Sequence, residues 1–430
     1  MTAATLAVWN AQKIVPLTGH RRHRHARNPV APDFQAPAPA ASISFGPTAL
    51  AAAMARTATL LNASPELLSR LKDSALNDAE ILIADGPVFA LTPYIESLAD
   101  TERTHFAARM GAGITDLYMN GLGYVWRDNA VCLASTLNPH ADFLYSGGSA
   151  SGHGVVLAEA HGSFAASVTD AKVAAQARNK YLRQVRPFVT TMSPYGEVIH
   201  GYSVAFGSKP GTTGAFLRLS ETQRGKSRRR PSVRSQQSAA TGAAPPTQMA
   251  LSSHRSNFIL MDALPIADWI DWTRGLRELP SDTEPVAFFR LEYAGRTFLA
   301  CADSLSQFRA PFVWIDALVD HPLWRLRWRR RFPDRLPFLR RFVIEENAGE
   351  RFLNALSALI RLEDRTLPET LDLPSGDFVG SSADGAALMT RRDGTPYDYA
   401  LFRDGLALLG GPPPRRIAGH RIWYPKHGLE

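Results

Sequence analysis

The sequence predicts an α/β domain followed by an α+β domain, and three observations lead there. Residues 45–221 read in the order helix, three strands, helix, strand. Two stretches poor in large apolar residues, 1–44 and 222–252, set that region off from its surroundings. Residues 253–430 mix strand-like and helical patterns. A chain of 430 residues also exceeds the roughly 150 residues of an average single domain.

The elements follow in order. His20-Arg21-Arg22-His23-Arg24-His25 and the Ala-Pro stretch from Val30 to Ala41 carry little to bury, so 1–44 reads as a disordered basic tail. Thr48–Leu61, rich in Ala and Leu, reads as a helix, and Ser64-Pro65 as a helix start. Between Asp100 and Gly121, Phe106, Met110, Ile114 and Leu117 recur every three to four residues, which predicts a helix with one buried stripe. Tyr124–Trp126 and Val131–Leu133 read as strands across the turn Arg127–Asn129. Ala141–Tyr145 reads as a third strand, joined by the Gly/Ser-rich turn 147–154 to Val155–His161. A helix over Asp170–Arg186, stopped by Pro187, precedes a strand over Val198–Phe206. Arginines mixed with Ser, Gln, Ala and Pro then make 222–252 a flexible basic linker. Beyond it, Phe258–Met261, Val286–Tyr293 and Thr297–Cys301 read as strands, the last two joined by a turn at Ala294–Arg296. Ile266–Leu276 reads as a helix, and Ala386–Thr390 with Tyr397–Phe402 as a hairpin.

Composition excludes several classes. Two cysteines, Cys132 and Cys301, support no disulfide framework or cysteine-rich zinc module and suit reducing, cytoplasmic conditions. No stretch approaches the roughly 20 apolar residues of a membrane span, and the amino terminus carries no secretion signal pattern. The segment 207–214 lacks Walker spacing, and the turn around Ser149 and Ser151 lacks Gly-X-Ser-X-Gly. A net charge of +8 permits an anionic partner such as nucleic acid.

The chemistry concentrates where ligands fall in phase. His140 and Asp142 are two apart, as are Glu159 and His161, a spacing that puts each pair on one face of a strand. If those strands pair, two carboxylates and two imidazoles meet, a set that binds a divalent ion able to polarise a phosphate oxygen or activate water. The bland alternative is a strand-end Asp142, a loop His140 and a hydrogen-bonded His161.

This arrangement over about Asp100 to Phe206 resembles the PD-(D/E)XK nuclease-like superfamily. The resemblance implies a mixed central sheet flanked by helices, restriction-endonuclease-like, and Mg²⁺- or Mn²⁺-dependent hydrolysis of phosphodiester bonds in DNA. Asp142 matches the family's Asp, in Ala-Asp rather than Pro-Asp, and Glu159 its second acid; His161 stands where a Lys is expected. Asp116 is the only nearby carboxylate on the preceding helix, where the family often has a Glu. Lys172 or Lys180, on the following helix, are the candidates for the missing charge. The implied metal ligands are Asp142, Glu159, His161 and His140, with Lys172 and Lys180 as phosphate-stabilising groups. A noncatalytic nucleic-acid-binding or interaction protein with the same core, or an unrelated α+β protein, are the alternatives. In the second half, Trp324-Arg325-Leu326-Arg327-Trp328-Arg329-Arg330-Arg331-Phe332 alternates guanidiniums with aromatics, a pattern suited to single-strand binding or to an amphipathic helix.

Overall fold

The structure, a computed structural model, describes residues 11–26, 34–60, 81–133, 139–147, 154–223, 244–280, 284–302, 341–362, 366–380, 399–410 and 417–430, with Trp9 and short pieces between 67 and 79. The first half contains strands β1 (Lys13–Arg24), β2 (Ser42–Phe45), β3 (Arg127–Asn129), β4 (Phe143–Ser146), β5 (Val155–Ser163), β6 (Met192–Ser193), β7 (Gly196–Gly207) and β8 (Phe216–Gln223). Helices α1 (Pro47–Ala58), α2 (Asp100–Gly121) and α3 (Asp170–Lys180) accompany them. The strands form a mixed sheet in the order β2-β1-β8-β7-β5-β4-β3, with β6 beside β7; β5 runs parallel to β7 and β1 parallel to β8.

Helices cover both faces of this sheet. Strand β5 begins Val155-Val156-Leu157-Ala158, all buried, as a central strand between two helix layers must be. Helix α2 crosses it in backbone contact: a Cβ on Gly162 would stand 1.7 Å from the Ala107 carbonyl oxygen, and one on Gly111 2.5 Å from the Gly162 nitrogen. Only glycine permits that approach, and it places the even-numbered residues of β5 toward α2. Glu159 and His161 consequently face the other side, under α3, where Val173 and Ala177 pack on Ala205.

The expectation of a disordered tail over 1–44 is overturned by β1. Seven residue pairs, from Leu17↔Leu217 to Arg24↔Gln223, join it to β8. One face of it meets a carboxylate: Glu221 receives Arg22 Nε at 2.8 Å and His20 Nε2 at 3.0 Å. The linker expectation is trimmed at both ends, since β8 runs through Gln223 and α4 (Thr247–Leu260) begins at Thr247; 224–243 lie outside the described residues. Tyr124–Trp126 and Val131–Leu133 are not strands, because the ladder with β4 forms at Arg127–Asn129, the expected turn. The segment 207–214 is a turn leading straight into β8, closed by a hydrogen bond from Ser208 Oγ to the Gly214 carbonyl.

The second sheet is antiparallel throughout, in the order β12-β13-β11-β10-β9-β14-β15. Its strands are β9 (Val286–Tyr293), β10 (Arg296–Cys301), β11 (Arg341–Glu345), β12 (Tyr399–Leu401), β13 (Leu406–Leu409), β14 (Ile417–Tyr424) and β15 (Gly428–Leu429). Helices α4, α5 (Leu264–Thr273) and α6 (Glu346–Ile360) belong to this half. The expected β9–β10 turn is present, with positive φ at Ala294 (49°) and Gly295 (72°), as a two-residue hairpin requires. Phe258–Met261, expected as a strand, closes α4 and its following turn; that helix is buried on nearly every side, so its apolar run mimics a buried strand. The expected hairpin arm Ala386–Thr390 and the Arg325–Arg331 segment lie outside the described residues.

One hydrophobic core joins the halves, running from Trp9 and Leu50 through Met249 and Phe352 to Trp423. Buried charge also crosses the junction. Arg56 Nη2 of α1 pairs with Asp404 Oδ2 at 2.8 Å; on the first-half side, Arg127 Nη1 pairs with Asp116 Oδ1 at 3.0 Å. Among the described residues no helix is long and apolar enough to cross a membrane.

Candidate functional site

Asp142 lies just ahead of β4, opposite Glu159 in the antiparallel β4–β5 ladder that pairs Phe143 with Ala158. Its Oδ2 accepts a hydrogen bond from the Ala160 backbone N–H at 2.9 Å, which ties the carboxylate to β5. Glu159 is fully buried. Lys180, in the last turn of α3, holds Nζ 2.8 Å from Glu159 Oε1, and the Asp142 carboxyl is hydrogen-bonded to Glu159 as well. Burial and the neighbouring Asp142 charge push the Glu159 carboxyl up to about 8, and Lys180 only partly opposes them. Two acids and an amine therefore meet on one face of neighbouring strands.

His161, two residues along β5, borders the same cluster beside Gln176. Burial first, then the Lys180 charge, lower its pKa, so the imidazole is neutral at pH 7. Its Nε2 is buried and accepts no hydrogen bond among the described residues. Ser203, paired with Glu159 in the parallel β5–β7 register, adds a buried hydroxyl. Sequence reading missed Gln176 and Ser203. Gln176 stands four residues before Lys180 on α3, a spacing that puts both on one helix face and was available as a signal. Ser203 had none, because the register that brings it under Glu159 is non-local.

Lys172 is not part of this site. It is exposed in the first turn of α3, where its backbone N–H donates to the capping Thr169 hydroxyl at 3.3 Å, about two turns from Lys180. His140 is also turned elsewhere: its Nδ1 donates to the adjacent Ala141 carbonyl at 2.7 Å, and its own carbonyl accepts from Gln184 Nε2 at 2.9 Å. Asp116 is separate as well, held in the buried Arg56–Arg127 network.

Among the described residues no three His, Cys, Asp or Glu side chains converge to hold a metal ion by themselves. The expected four-ligand set is thus reduced to the pair Asp142 and Glu159. Two adjoining carboxyls are a donor set of the kind a hard divalent cation such as Mg²⁺ takes, since it keeps several waters and is commonly held by one or two carboxylates plus phosphate oxygens of the substrate. After α3 the chain continues through a π turn, Tyr181–Val185, a backbone form concentrated at functional sites. Comparison with family models, curated proteins and solved structures gives no match.

Proposed function

We propose that this protein is a divalent-metal-dependent phosphodiester hydrolase of the restriction-endonuclease-like type, acting on DNA. The observation that carries the reading is Lys180 Nζ at 2.8 Å from Glu159, with Asp142 alongside: an acid, an acid and an amine on the α3 face of adjacent strands. Asp142 and Glu159 would hold Mg²⁺ or Mn²⁺, which when bound supplies Lewis-acid polarisation of a phosphate oxygen and a more acidic water.

The chain's own residues supply the rest. The Ala160 N–H fixes the Asp142 carboxylate, so its direction is set before any ligand arrives. Lys180, whose ammonium lies 2.8 Å from Glu159 Oε1, would neutralise charge developing on the phosphate. His161, kept neutral, offers Nε2 to orient a water or take its proton.

Purified full-length protein incubated with linear DNA and Mn²⁺ tests this. Cleavage is expected, with Asp142→Ala and Lys180→Met each slowed about 100-fold or more. Equal cleavage by both variants, or none by any of the three proteins in Mg²⁺ or Mn²⁺, refutes the reading.

A further inference from the structure

The histidine–arginine strand β1 has two faces, and they differ. His20 and Arg22 turn toward Glu221 and contact its carboxylate. Arg21 and His23 turn to the α3 face, where Arg21 pairs with Ser220 and His23 with Thr222 in the β1–β8 register. The His23 ring stacks on Tyr181 with centroids 4.5 Å apart, which pins β1 to the carboxyl-terminal end of α3.

On the His23 side of that stack the charge is cationic, while Glu221, on β8, acts on Tyr181. Burial lowers the pKa of His23, and the guanidiniums of Arg21, Arg178 and Arg186 lower it further; no carboxylate is among the charges acting on it. All three arginines are exposed. Lys180, the residue on Glu159, closes the same helix two residues after Arg178, so one helix end carries both the site's amine and a guanidinium of this cluster. The strand register measures its span: Glu159 pairs with Ser203, Ser203 with Ser220, and Ser220 with Arg21. Three strand spacings amount to about 14 Å, or roughly four steps of one strand of duplex DNA.

We infer that Arg21, Arg178 and Arg186 form a docking surface for the phosphate backbone of duplex DNA, leading over the end of α3 to Asp142, Glu159 and Lys180. The inference rests on the hydrolase reading for the identity of the polyanion. Its geometry is independent of whether the site is active. Exposed guanidiniums spaced along a track position a backbone without reading bases, so the surface predicts affinity with little sequence preference.

Binding of a fluorescent 20-base-pair duplex to the full chain, measured by anisotropy in EDTA across a salt series, tests the surface apart from the chemistry. The triple variant Arg21→Gln/Arg178→Gln/Arg186→Gln should bind at least about tenfold more weakly at 100 mM salt. Its log–log salt slope should shrink by about 2 to 3, near 0.9 for each phosphate that is no longer neutralised. Wild-type protein that binds the duplex with the expected slope but cleaves none in Mg²⁺ or Mn²⁺ counts against the hydrolase reading alone and supports the surface. A triple variant with unchanged affinity and slope, its fold verified by circular dichroism, overturns the docking surface whatever the cleavage result. Wild-type protein that ignores DNA but binds phosphatidylserine vesicles through these arginines also overturns it, in favour of a membrane surface.

Discussion

Glu159→Gln raises the stability of the metal-free protein at pH 7 by on the order of 3 kcal/mol. The carboxyl is fully buried and its pKa is pushed up to about 8, against an ordinary value of 4.5. Between those two values the folded state retains a proton that the unfolded chain gives up. Stability is therefore complete below about pH 4.5 and declines as pH rises toward 8, by up to about 1.4 kcal/mol per unit. Glutamine carries no such penalty. Urea unfolding in EDTA at pH 5 and pH 7.5 checks the sign: the wild type weakens relative to Glu159→Gln across that window. A variant that is less stable than the wild type at pH 7.5 contradicts the assignment.

Asp404→Ala costs about 3–5 kcal/mol, a large part of an ordinary domain's total stability. Asp404 is buried, and burial alone would raise its pKa; Arg56, His254 and Asn257 outweigh that, and the carboxylate stays ionised. It holds Arg56 Nη2 at 2.8 Å and accepts from Asn257 Nδ2 at 3.0 Å. Without it, the fully buried Arg56 is left, among the described residues, with Asp116 at 3.7 Å and the face of Phe402, 3.9 Å from its guanidinium carbon. Arg56→Met/Asp404→Leu removes both charges together and should recover most of the loss, since replacing a buried pair by apolar groups is often neutral. Because Arg56 and Asp404 belong to opposite halves that share one core, urea denaturation should show a single transition in the wild type. Two separated transitions, or a loss below about 1 kcal/mol in Asp404→Ala, contradict this description of the junction.

Much of the site's frame was legible because it is local. The apolar stripe of α2, the buried run opening β5 and the two-residue phase of Glu159 and His161 are all properties of short windows, and each reappears in the structure. Lys180 was legible as one of two lysines on α3, but choosing it over Lys172 needed the position of the helix on the sheet. Strand β1 was not legible, because its partner β8 lies about 200 residues away and supplies both the ladder and the Glu221 carboxylate. His140 was misjudged for a related reason: phase on a strand says nothing about a residue ahead of it, where the ring takes the nearest carbonyl. Ser203 required a parallel register, which no local pattern specifies.

The pairing of Asp142 with Glu159 as a divalent-cation site is the claim on which the functional reading depends. Calorimetric titration of Mn²⁺ into the wild type, Asp142→Asn and Glu159→Gln at pH 8 addresses it directly. The expected result is saturable binding to the wild type, weakened by about tenfold or more in each variant. Equal binding by all three proteins, or no binding to the wild type at millimolar Mn²⁺, contradicts it.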